Sequence, residues 1–78
     1  MKLIGNTLLQ YSDKAATYEI LRIGQLLVFK PYFYHLENAL PCIVLNREGA
    51  EWQFHERVEK HVERQIQQEI RRLAPMLA

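Results

Sequence analysis

The chain is short of nearly everything that marks a specialised chemistry. It has one cysteine, Cys42, among 78 residues, so no disulfide can close within it and no cysteine-built zinc cage can be assembled from it alone. Its three glycines stand apart at positions 5, 24 and 49, which excludes a glycine-rich phosphate loop. The formal net charge is only +1. No strong global field therefore draws the chain to nucleic acid or to a membrane surface. No apolar run approaches the ~18 residues of a membrane span. The opening stretch, Met1 to Gln10, is too short and too interrupted for a signal-peptide core, so the expected compartment is the cytoplasm.

What is present reads as an ordinary globular composition, 49% hydrophobic and 24% charged, and the length fits one small domain spanning 1–78. At this size a single core contributes only ~3 to 5 kcal/mol net. Self-association would add to that, and a homo-oligomer is expected.

Residues 55–73 contain neither Gly nor Pro, and Val58, Val62, Ile66, Ile70 and Leu73 recur at helical spacing. The spacing predicts an amphipathic helix over 55–73, ended by Ala74-Pro75 because a residue before proline is pushed out of the helical region. Four-residue steps overshoot the 3.6-residue turn, so the stripe drifts and suits a face laid across a twisted sheet better than a coiled-coil seam. Early Glu residues and late Arg71 and Arg72 would complement the helix dipole. Met76, Leu77 and Ala78 make a short apolar tail that either packs or meets a partner.

The sheet is sought upstream. Cys42 to Leu45 and Ala50 to Phe54 flank Asn46-Arg47-Glu48-Gly49, which suits a type I turn closed by a left-handed glycine. In the second of these strands Trp52 and Phe54 alternate with Glu51 and Gln53, giving one apolar and one wet face. The helix is expected to fold back over the apolar one. Leu26 to Tyr34 reads as a strand interrupted by Pro31, which has no amide to donate. Residues 13–23 admit two readings. Ser12-Asp13 could cap a helix that Gly24 ends, or the β-branched and aromatic run could be a strand. In the second case a Gly24-Gln25 turn of type II′ would set Glu19 across from Lys30. Residues 1–11 are weakly extended. The expected fold class is α+β: a small antiparallel sheet of three or four strands under a long C-terminal helix, with a short N-terminal helix open.

The candidate chemistry is sparse. The run from His55 to His61 carries zinc-ligand residue types, but these two histidines are six apart and diverge by about 120° on a helix, whereas ligand pairs sit four apart. His55 would instead meet Glu59 at i+4. His35 and Glu37 would share a strand face, yet two donors without a third specify no metal. Cys42 reads as a buried small hydrophobe. No nucleophile and base stand in a recognisable context, so neither a catalytic site nor a cofactor is expected.

Two features suggest binding. Lys30, Tyr32 and Tyr34 interleave basic and aromatic side chains along one strand, a combination used in stacking on single-stranded nucleic acid. Arg57, Lys60, Arg64 and Arg71 would form a basic stripe of ~21 Å at 1.5 Å per helical residue, long enough to follow several phosphates. The expected function is a homodimeric protein–protein interaction module that binds another protein. The alternative is a nucleic-acid-binding accessory protein using the same basic and aromatic residues.

Overall fold

The computed structural model describes residues 1–32 and 40–77. Five strands and one helix follow in chain order: β1 Lys2–Gln10, β2 Ala15–Ile23, β3 Leu26–Pro31, β4 Ile43–Glu48, β5 Glu51–Phe54 and α1 Lys60–Leu77. The strands form one antiparallel meander in the order β1-β2-β3-β4-β5. The fold is α+β, as composition and patterning imply. The sheet has five strands rather than three or four.

Residues 13–23 form no helix: Ala15–Ile23 is strand, and Asp13 belongs to the turn before it. Ser12 and Asp13 form a tight turn, held by a 2.6 Å bond from the Tyr11 amide to the Lys14 carbonyl. Gly24 at φ 58° starts the next turn. A positive φ at the first of two turn residues is the II′ signature, whose twist suits a hairpin. The register accordingly sets Glu19 opposite Lys30. The β4–β5 connection is tighter than the sequence suggested. Asn46, Arg47 and Glu48 stay in β4, and Gly49 at φ 63° with Ala50 makes a second glycine-first turn. Two-residue loops keep the ladder closed up to the turn, so the four-residue loop is not formed.

Pro31 ends β3. It faces Tyr18 in β2, while the β3–β4 pairing stops at Phe29↔Ile43. Its missing amide therefore removes no ladder bond, which is how the proline is tolerated.

Alternation sorts the side chains. Leu9, Tyr18, Ile20, Leu27, Phe29, Ile43 and Leu45 point to one face and are buried there with Val62, Ile66, Leu73 and Leu77 of α1. Trp52 and Phe54 lie on the same face, half-buried at its margin. The helix packs closest to β1. There the Gln65 side-chain amide imitates a neighbouring strand, its Oε1 accepting from the Gln10 amide at 2.8 Å and its Nε2 donating to the Gln10 carbonyl at 2.7 Å. Thr7 Oγ1 donates to Glu69 in the same seam.

The helix is displaced from its expected bounds at both ends. It begins at Lys60 rather than His55, because pairing with β4 continues through a 2.9 Å bond from the His55 amide to the Val44 carbonyl, and the chain must then turn. The first helical bond runs from the Glu63 amide to the Glu59 carbonyl, 2.8 Å. Pro75 lies inside the helix, which continues to Leu77. Burial of Leu77 stabilises this last turn, as do two guanidinium groups from the sheet: Arg22 donates to the Leu77 carbonyl at 3.1 Å and Arg47 at 2.8 Å. The last turn has no basic residue of its own. Cations from β2 and β4 supply the charge that the dipole favours, a role the sequence had assigned to Arg71 and Arg72.

Candidate functional site

The residues singled out in the sequence do not form one site. Lys30 and Tyr32 project from the face of the sheet opposite the helix, where Tyr32 donates to Asn6 Oδ1 at 2.8 Å. Lys60, Arg64 and Arg71 are exposed on α1, across the sheet from them. Arg57 precedes the helix and so leaves the stripe. Tyr34, His35 and Glu37 lie outside the described residues. Lys30 and Tyr32 therefore do not share a surface with the basic residues of α1, because the sheet lies between them.

Cys42 is exposed rather than buried. It sits one residue before β4, outside the register that buries Ile43 and Leu45. His55 is not helical, so the i+4 contact with Glu59 is not formed. Among the described residues no three His, Cys, Asp or Glu groups are placed to hold a metal ion.

Three surface features stand out. The first is a cleft of about 550 Å³ between the β1–β2 turn, Pro41 and the lead into α1, walled by Tyr11, Asp13, Lys14, Arg57 and Glu59. Tyr18 is fully buried and donates its hydroxyl to the Pro41 carbonyl at 3.1 Å, so Tyr11, 2.5 Å away, donates to Tyr18. Burial pushes the Tyr18 phenol well above its ordinary range, and the bond with Tyr11 adds to this. Burial also raises Tyr11, with Glu59 contributing in the same direction. Both phenols stay neutral at physiological pH. The cleft's charged wall carries both signs, and the tyrosine pair is bonded to itself and to backbone, which is a structural latch rather than a proton-transfer pair.

The second is the face of the sheet turned away from α1, where Leu21 is buried and the apolar side chains around it are partly or fully exposed. The register lines up Leu3, Leu21, Val28 and Val44 across four strands, with Ile23 and Leu26 in the next row. Leu3 is 54% exposed, Leu8 55% and Ile23 39%. Sequence patterning missed this band. Runs such as Ile20-Leu21 and Leu26-Leu27-Val28 mask period-two alternation, and a continuous apolar run is the one signal that both faces of a strand are apolar.

The third is the outer edge of β5. A two-residue hairpin makes Glu48:Glu51, Asn46:Gln53 and Val44:His55 the hydrogen-bonded pairs, as the His55–Val44 bond bears out. The main-chain groups of Trp52 and Phe54 therefore point away from β4 and have no partner among the described residues. Beside them runs a groove of about 410 Å³ lined by Ala50, Glu51, Trp52, Gln67, Ile70 and Arg71. The edge of β1 differs, since Gln65 covers it at Gln10.

Among the described residues no helix is long and apolar enough to cross a membrane. Comparison of the chain with family models, with curated proteins and with solved structures gives no match.

Proposed function

We propose that the chain is a small protein–protein interaction module that self-associates as a homodimer and binds another protein. The observation that carries this reading is that, among the described residues, the sheet has a helix on one face only, while the other face aligns Leu3, Leu21, Val28 and Ile23 in an apolar band whose margins, Leu3 and Ile23, are exposed. Exposed apolar side chains beside such a band mark docking sites, because covering them is favourable in proportion to the apolar area removed from water. An open β5 edge offers a second surface suited to another chain.

A second reading, a nucleic-acid-binding accessory protein, is favoured by one observation. Lys60, Arg64 and Arg71 are exposed on one helix and have no ion-pair partner among the described residues. Affinity capture from lysate separates the two, with and without nuclease, using the natural chain and Ile23→Glu. The interaction-module reading expects a nuclease-resistant protein retained by the natural chain and lost by Ile23→Glu. Capture abolished by nuclease, with binding that falls steeply as salt rises, overturns it in favour of the second reading.

A further inference from the structure

Resting on the reading of the chain as a self-associating module, we infer that two copies join edge to edge through β5, antiparallel about a two-fold axis at Gln53, to form one continuous ten-stranded sheet. Main-chain geometry sets the register. The outward groups belong to Trp52 and Phe54, so an antiparallel partner must use those positions as hydrogen-bonded pairs. A second copy centred on Gln53 places its Phe54 opposite Trp52 and its Trp52 opposite Phe54. All the free main-chain groups of β5 are then satisfied at once.

The side chains agree with that register. Trp52 and Phe54 lie on the helix face, so each pairing brings two half-buried aromatics together, the favoured kind of cross-strand contact. On the open face Glu51 meets His55 of the second copy, a carboxylate opposite an imidazole. The two-fold repeats this pair, giving two complementary contacts. Centring the axis on Phe54 instead would leave Trp52 facing the bend that follows β5, without an aromatic or a strand partner. The axis stands perpendicular to the sheet, so both helices stay on one side.

The test places cysteine on the axis. Opposed residues at a pair without hydrogen bonds have Cα atoms about 4.5 Å apart, within the range a disulfide spans. In a Cys42→Ser background, Gln53→Cys is expected to oxidise to a covalent dimer under mild conditions, while Glu48→Cys, away from the axis, stays reduced. Independently, His55→Glu, which sets two carboxylates opposite each other at both ends of the joint, should weaken dimerisation roughly twofold to thirtyfold, and adding Glu51→Arg should restore it. A natural chain that sediments as a dimer while Gln53→Cys fails to cross-link and the charge variants change nothing overturns this interface and leaves the module reading standing. A natural chain that is monomeric at the highest concentration reached overturns both.

Discussion

Tyr18 shows how one side chain ties three segments together. Its ring is fully buried between β1 and β3, and its hydroxyl joins Tyr11 to the Pro41 carbonyl. The phenol titrates well above the ordinary value of about 10 because its charged form would be buried. Consider the sign. Between the unfolded and folded values the unfolded chain has lost a proton that the native chain keeps, so stability falls as pH rises. The contribution is complete below pH ~10 and drains away above it, by about 1.4 kcal/mol per pH unit for such a group. Urea unfolding between pH 8 and 11 should therefore show a decline above ~10 that is steeper in the natural chain than in Tyr18→Phe. At neutral pH the same substitution should cost ~1 to 2 kcal/mol through the Pro41 carbonyl and Tyr11 hydroxyl left behind. Parallel pH profiles for the two chains would contradict the assignment.

The clearest case of one element being completed by another is α1. Its last turn contains a proline and no basic residue, yet it persists because Arg22 and Arg47 both reach the Leu77 carbonyl. Both guanidiniums also stack on Trp52, at 5.2 and 5.6 Å from the ring centre. Arg47→Ala should cost ~1 to 2 kcal/mol, combining a charge-assisted bond at a helix C-terminus with a cation–π contact. Amide exchange should accelerate selectively in the last turn. Because both arginines share one acceptor and one ring, each buffers the loss of the other, and the double variant with Arg22→Ala should cost more than the two single losses added. Uniform exchange along α1 would show that the clamp does not hold the turn. This clamp also explains what the sequence concealed. The helix stripe from Val62 to Leu73 was legible because periodicity is local, and so was the hairpin carrying Trp52 and Phe54. The stop at Pro75 was misread because the groups that carry the helix past it lie thirty and fifty-five positions away. For β2 the difficulty was chemical: Ser12-Asp13 serves a helix cap and a tight turn equally well. Only pairing with β1 and β3 decides between them.

Among the described residues the governing fact is that a single helix lies against a five-stranded sheet. One face gains a core, and the sheet keeps an apolar band on the other face and an unpaired edge at β5. The candidate binding residues were legible as residue types, but not as a surface. Lys30 and Arg64 fall on opposite sides of the sheet because strand parity and helix placement, which sequence spacing does not encode, separate them. The β5 edge went unnoticed because its sequence looks like any amphipathic strand. Its openness depends on α1 lying nearer β1, where Gln65 covers the opposite edge at Gln10.

Sedimentation velocity over a wide concentration range tests the account most directly. It predicts a reversible shift from the 9.3 kDa chain to a species of twice that mass, since the two-fold joint uses up the β5 edge of both copies. A single 9.3 kDa boundary at every concentration would contradict it.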